Sequence, residues 1–525
     1  MNKFITKHQD EITGVLSGFD RIVFRGWLRS ISYPEGMKRY LWANQVRLLE
    51  FGTHVQQISE RLKDAVRGQT EVLGRPIQYL DSAKADKERL ARAIATRDGI
   101  QDGLVCLLSC VEPCRTFEVY RNRELRRLEL VSRTRKCLFV YQYWMHPEFG
   151  FLNARIQTWF PFAVQICLNG REWLARQMDR VGLQYVRCDN CFPWVADWGQ
   201  AQRLLDTQRR MLWPRRLDKI ARALNPVHGE MFRLFPVRYY WTTYQTEWAT
   251  DVVFRRADVL RRLAPRLVLH GMTVLQSQDV LRFLGRRIRL DGDVPRNFRG
   301  EVITDLKVRE EGTRIKHSVD GNSVKAYDKA YTAVGSVLRA EATMQQTGGF
   351  RVYRRKEGDR TGQRAWRVLR RGVADFPRRA AVSERAADRY LEALAWVDDQ
   401  TTVQDLLVRL GQRSAWKGRR VRALDPLGPD RALLEAVCRG EFTLNGLRNR
   451  DLQRIFFGAP SDDEREQRRR SAWVSRKLRL LRAHGIIRKV TSSYRYHVTE
   501  TGQRAVGAIF AALRATVRDL LPKAS

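Results

Sequence analysis

The stretch Gly321–Met344, GNSVKAYDKAYTAVGSVLRAEATM, alternates apolar and polar residues twice over. A strand turns successive side chains to opposite faces, so a two-residue period predicts two half-buried strands. In SVLRAEATM, Leu338, Ala340, Ala342 and Met344 share one face, and Arg339, Glu341 and Thr343 share the other. In NSVKAYDK, Val324 and Ala326 turn inward while Lys325, Tyr327 and Lys329 turn out. Upstream, GEVITDLKVR and TRIKHSV read as two further strands, the first carrying Asp305, Lys307 and Arg309 on one face; GFRVYRR follows as a fifth. Gly312, Asp320-Gly321-Asn322, Gly335 and Gly348-Gly349 punctuate the run, as an antiparallel meander requires. The predicted sheet has one apolar side and one side of Tyr, Lys, Arg and carboxylates.

Working outward, the chain predicts an α+β multidomain protein. Residues 1–196 read as a mixed α/β domain, 197–298 as a helical region around the aromatic segment RYYWTTYQTEWATDVVF, and 299–356 as the antiparallel β platform. A helical connector over 357–424 leads to a C-terminal domain over 425–525. There, two short helices, a longer helix SDDEREQRRRSAWVSRKLRLLRAHG and a hairpin around TSS give the order of a winged helix. Val474, Leu478 and Leu481 fall at i, i+4 and i+7 and are expected in its core. Arg468, Arg469, Ser475, Arg476, Arg479 and Arg482 then cover much of the remaining helix surface, suited to a major groove. Arg488, Lys489, Arg495 and Tyr496 of the hairpin would meet neighbouring phosphates. The phrase KLRLLRAHGIIRKVTSSYRYHVTETGQR resembles the winged helices of bacterial transcription regulators.

Charge names the partner class. The 525 residues carry 96 Lys and Arg against 58 Asp and Glu, a net +38. Such an excess repels itself unless a polyanion is bound, which predicts nucleic acid, duplex DNA first and RNA as the alternative. The opening residues lack the apolar core of a secretory signal, and no window reaches the roughly 18 apolar residues of a membrane helix. The expectation is a cytoplasmic protein without a membrane partner. Eight Cys, mostly within apolar runs, read as buried small side chains; the single pair in CDNC, Cys188 and Cys191, lacks the second half of a zinc site.

Three clusters carry candidate chemistry. The polar face of the platform reads either as cross-strand ion pairs or as a surface where Lys325, Arg339 and Lys307 grip a phosphate. On the second reading Tyr327 is a candidate nucleophile, and Glu341 or Asp305 a carboxylate for proton transfer or a metal. In the first domain, Asp20 and Glu112 stand on predicted strands and are candidate ligands for Mg²⁺ in phosphodiester chemistry, as in ribonuclease-H-like transposases. Glu148, Asp189 and Asp197 are available as a third ligand. In NARIQTWFPFAVQICLNGREW, Asn153, Arg155 and Gln157 alternate beside Trp159, Phe160 and Phe162, a pattern for stacking and phosphate contact or for a packed hairpin.

VKAYDK followed by VLRAEAT resembles strands of rolling-circle replication initiators, over about thirty residues. The chain departs from members with a His-hydrophobe-His metal pair, because none of its eight His supplies one. Over nearly its whole length, in forms such as GLVCLLSCVEPC, RIQTWFPFAVQICLNGREWLAR, RIKH and NSVKAYDK, it resembles a large bacterial family often described as hypothetical or transposase-like. That resemblance implies a DNA-binding protein of mobile elements, transposase- or replication-initiator-like. The alternative is a non-catalytic transcription regulator or an RNA-binding protein of a ribonucleoprotein.

Overall fold

The structure, a computed structural model, describes residues 2–275, 277–285, 301–309, 312–356, 358–359, 361–395, 402–416, 418–439, 442, 446–490 and 493–514. The chain is mixed α and β, and forms two units. The first contains Met1–Arg286 and Gly300–Ala395, the second Trp396–Ser525.

The first unit is organised by one sheet. Its early strands are β1 (Ile12–Leu28), β2 (Ile77–Tyr79), β3 (Gly103–Asn122), β4 (Arg127–His146), β5 (Gly150–Gln157) and β6 (Val164–Asn169). A separate hairpin, β7 (Tyr185–Cys188) and β8 (Cys191–Val195), follows. Then come β9 (Tyr239–Phe254), β10 (Ile303–Arg309), β11 (Gly312–Val319), β12 (Asn322–Thr332) and β13 (Gly335–Met344). The order is β10-β11-β12-β13-β9-β1-β6-β5-β4-β3-β2, eleven strands with only the β2–β3 pair parallel. A second small hairpin, β14 (Arg351–Arg354) with β15 (Ala365–Val368), follows.

Three sequence expectations change here. The meander forms as read, but β13 pairs with β9, so residues 303–344 extend the sheet of β1 instead of standing as a separate platform. The region 197–298 is not wholly helical, because its aromatic segment is β9, a central strand. Thr, Tyr, Trp and Val fit a pleated surface better than a helix, and here they are clamped between β1 and β13. In the connector, the helix Phe376–Leu394 belongs to the first unit and packs on β9 and β13.

The apolar core on one side of the sheet is aromatic. Phe19 meets Trp248 edge-on at 4.9 Å and stacks on Phe376 at 4.7 Å, and Phe24 lies against Trp213. The opposite, polar side is also covered, partly by the β7–β8 hairpin, so all ten residues of β13 are buried. Helix Gly170–Arg180 begins hard against β1: a Cβ on Gly170 would lie 1.9 Å from the Phe19 carbonyl oxygen.

The second unit has helices Val403–Leu410, Arg431–Val437, Asn449–Phe457, Glu464–Ala483 and Glu500–Arg514. Its strands are the hairpin β16 (Ser414–Trp416) with β17 (Arg419–Val421), then β18 (Leu447–Arg448), β19 (Ile487–Lys489) and β20 (Arg495–Val498), the last three in the order β18-β20-β19. Val474, Leu478 and Leu481 are buried in its core with Leu434, Leu452 and Ile486. Among the described residues, no helix is long and apolar enough to cross a membrane.

Candidate functional site: a buried carboxylate cluster

Register builds the site. Thr343 pairs with Glu247 and Arg339 with Asp251 across β13 and β9, while Lys325 pairs with Glu341 and Tyr327 with Arg339 across β12 and β13. These residues therefore share one face. On β1, Phe19 pairs with Trp248 and Arg21 with Glu247, leaving Asp20 as the extra residue of a β-bulge. A bulge re-aims a side chain, and this one carries Asp20 to the polar face beside Glu247.

Asp20, Glu247 and Glu341 consequently offer carboxylate oxygens within 4.8 Å of one another. Asp20 is 4% exposed; its Oδ2 accepts from Asn190 Nδ2 at 2.8 Å and forms an ion pair with Arg339 Nη1 at 3.1 Å. Its Oδ1 is buried with no hydrogen-bond partner among the described residues. Burial raises the Asp20 pKa against the pull of Arg339. Burial, then repulsion from Glu341, pushes Glu247 up to about 7. Glu341 is held by an ion pair with Lys325 and a hydrogen bond from Thr343 Oγ1 at 3.2 Å. Asp251 is clamped by Arg339 at 2.6 Å and by Arg171 at 2.9 Å, so it is spoken for. Four buried or half-buried carboxylates thus face three buried or half-buried cations, Arg171, Lys325 and Arg339.

The turn between β7 and β8 completes the shell. The CDNC segment places Asn190 on Asp20 and Asp189 on Lys329, whose Nζ donates to Asp189 at 2.6 Å. Asp189 has φ 52°, a left-handed conformation that Asp tolerates. Beyond the cluster opens a cavity of about 410 Å³, walled by Glu247, Lys325, Lys316, Ser323, Thr343 and Gln345 among others.

The structure joins Asp20 and Glu341, which the sequence offered as separate candidates, and adds Glu247. It separates Glu112. The strands β6, β5 and β4 lie between β1 and β3, so Asp20 and Glu112 stand four strand spacings apart, about 19 Å. They cannot share one ion. Glu112 instead accepts from Tyr141 and from Arg155 at 2.6 Å, with Lys87 at 3.8 Å. The suggested third ligands are engaged elsewhere: Glu148 with Arg216, Asp189 with Lys329, and Asp197 capping the helix Trp198–Asp206.

Other expected contact residues also change standing. Arg339 is 1% exposed and bound to Asp251 and Asp20, so no incoming phosphate reaches it in this structure. Arg155 is half-buried and tied to Glu112, Tyr141 and Gln165. Lys325 is half-buried at the cavity wall, and Lys307 is exposed on the edge strand β10. Tyr327 is half-buried, and burial raises its phenol pKa, which opposes a ready phenolate nucleophile. Phe160 and Phe162 are fully buried, the packed alternative of their cluster.

In the second unit, Arg468 and Arg469 are exposed but paired with Glu464 and Glu466 of their own helix. Ser475 accepts from Asn449 Nδ2 at 2.9 Å, and Arg482 lies over the Trp416 ring at 4.6 Å. Arg476, Arg479, Arg488 and Lys489 are exposed without a carboxylate partner among the described residues. Arg495 and Tyr496 are half-buried in β20, next to them. No protein-family model, curated protein or solved structure matches the chain.

Proposed function

We propose that the protein is a DNA-binding enzyme of the mobile-element kind, which cleaves or transfers phosphodiester bonds with a divalent cation held by Asp20, Glu247 and Glu341. The observation that carries this reading is the desolvated Asp20 Oδ1, without a hydrogen-bond partner among the described residues and set between two further carboxylates, with Glu247 pushed towards neutrality by burial and by the charge of Glu341. Carboxylate oxygens at this separation suit Mg²⁺ or Mn²⁺. Such an ion would polarise the scissile phosphate or activate a water. On this reading Lys325, which pairs with Glu341 at the wall of the adjoining cavity, would neutralise a phosphate, and Asn190 and Arg339 would orient Asp20.

We read the second unit as a winged helix that anchors duplex DNA. Its support is the succession of helix Arg431–Val437, β18, helices Asn449–Phe457 and Glu464–Ala483, and the β19–β20 hairpin, with exposed Arg476, Arg479, Arg488 and Lys489, which have no carboxylate partner among the described residues. The net charge of +38 supplies the electrostatic term.

A competing reading is a non-catalytic DNA or RNA binder. It is favoured by the Lys325–Glu341 and Arg339–Asp251 pairs, which neutralise part of the cluster without any ion. Incubation of the full chain with supercoiled and single-stranded DNA, in Mg²⁺ or Mn²⁺, decides. Cleavage that D20N and E341Q abolish, with duplex affinity retained, upholds the enzyme. Binding without cleavage under any divalent ion leaves the non-catalytic reading.

A further inference from the structure

A second cavity borders β1, β3, β4, β5 and β6. It encloses about 600 Å³ and is lined by Arg25, Arg115 and Arg155, by Thr116, Gln157 and Gln165, and by the rings of Trp27, Phe117 and Phe139. Register explains much of the wall: Arg25 pairs with Gln165 across β1 and β6, and Gln165 with Arg155 across β6 and β5. Arg21 and Arg25 are four residues apart on β1, so the pocket begins about 13 Å along the strand from the carboxylate cluster.

Its electrostatics are unbalanced. Arg155 is answered by Glu112, whereas Arg25 and Arg115 have no carboxylate partner among the described residues. Arg25 is half-buried, bonded through Nε to Gln165 Oε1 at 2.9 Å, and its guanidinium lies 3.4 Å from the centre of the Tyr244 ring. Burial, with Arg155 and Arg371 nearby, lowers its pKa, the mark of a cation held without a counter-ion. Arg115 is exposed at the cavity wall, with Nε on Ser132 Oγ at 3.0 Å. A neutral donor is also idle: Thr116 is 2% exposed and its Oγ1 has no hydrogen-bond partner among the described residues. A buried polar atom without a partner costs free energy, and a ligand that accepts from it would recover that cost.

We propose that this cavity binds a nucleotide unit, with its phosphate drawn to Arg25 and Arg115 and its base against the Trp27 and Phe117 side of the wall. Guanidinium groups are the natural phosphate partners, and flat rings the natural base partners. The unit comes either from a free nucleotide or from a single strand crossing the sheet. The site is argued without the carboxylate cluster, so the cation reading can fail while this one stands.

The test uses the full chain carrying R476Q and R479Q, which silences two cations of the C-terminal helix. Two probes are titrated by fluorescence anisotropy, an N-methylanthraniloyl-labelled AMP and a fluorescein-labelled dT12. R25Q and R115Q should each raise Kd about tenfold for at least one probe, with R25K restoring most of the loss. R262Q, an equal charge loss on the helix Ala257–Thr273, should change it less than about twofold. T116V should raise Kd several-fold while leaving the melting temperature of the free protein unchanged or higher, because it removes an unsatisfied hydroxyl. Loss confined to dT12 identifies a strand, and loss with AMP a free nucleotide; both uphold the site. Absence of binding by both probes, Kd values unmoved by R25Q and R115Q, or an equal loss in R262Q overturns it.

Discussion

Arg339 donates to both carboxylate oxygens of Asp251, from Nε at 2.6 Å and Nη2 at 3.0 Å, with each side chain 1% exposed. Two neighbouring strands are thereby cross-linked by a fork-to-fork ion pair inside the sheet. The same guanidinium reaches Asp20 on the next strand and the Asn190 carbonyl on the covering hairpin, so one side chain ties together β1, β9, β13 and the β7–β8 turn.

Truncation of that side chain should therefore be costly. R339M leaves Asp20 and Asp251 buried with fewer counter-charges, and a loss of about 3–5 kcal/mol is expected, the usual scale for orphaning a buried partner. Urea unfolding of the wild type and R339M measures it. A loss below about 1 kcal/mol would show that the network relaxes around the gap.

Asp20 should behave in the opposite sense. D20N removes one of three crowded carboxylates, so without divalent ions the variant should be at least as stable as the wild type. Millimolar Mn²⁺ should raise the melting temperature of the wild type by several degrees and leave D20N unmoved, since only binding to the folded state stabilises it. Thermal scans in EDTA and in Mn²⁺ give both readings, and equal shifts in the two proteins would place any ion elsewhere.

Glu247 makes the stability pH-dependent. Its folded pKa of about 7 lies above the 4.5 of a free carboxyl, so the folded state binds its proton more tightly. That contribution is whole below about pH 4.5 and is lost as pH rises through 7, a change of up to about 3.5 kcal/mol at 1.4 kcal/mol per unit. E247Q should flatten this part of the stability profile between pH 5 and 8, measured by denaturant midpoints in EDTA. An unchanged profile would place the slope on another group.

In the second unit, Asp430 has no exposed side-chain surface and holds Arg422 at 2.6 Å and Lys477 at 3.0 Å. Burial alone would raise its pKa, yet these partners and the Asp425 amide hold it at about 2. Its stabilisation is present above pH 3.8 and lost as pH falls towards 2. D430N should destabilise this unit by about 2 kcal/mol at neutral pH and by progressively less in acid. Loss of equal size at pH 3 and pH 7 would assign the effect to packing.

The proposed DNA anchor is tested at Arg476 and Arg479. If each meets a phosphate, alanine at both should weaken binding to any duplex sequence and lower the slope of log K against log salt by about two. An unchanged slope would remove this helix face from the interface.

Much of this arrangement is legible in the sequence. The alternation in SVLRAEATM correctly sorts Arg339, Glu341 and Thr343 from Leu338 and Ala340, since a pleat leaves no other choice. Period alone cannot say that the polar face is covered. The covering hairpin comes from CDNC, whose cysteines attract attention while its Asn190 reaches the site. Glu247 was hidden because the segments flanking β9 are helical, although the alternation in TTYQTEWATDVV carries the strand signal. Asp20 and Glu112 look alike as carboxylates on apolar strands. Only strand order, with β6, β5 and β4 between them, gives one to a carboxylate cluster and the other to Arg155.

The cluster draws Asp20, Glu247 and Glu341 from points spread across more than three hundred residues. Because β13 must slot beside β9 before Glu341 arrives, a ribosome has to release nearly two-thirds of the chain before the three acids can meet. A fragment clipped ahead of β13 keeps Asp20 but lacks Glu341, so the cluster is completed late in synthesis.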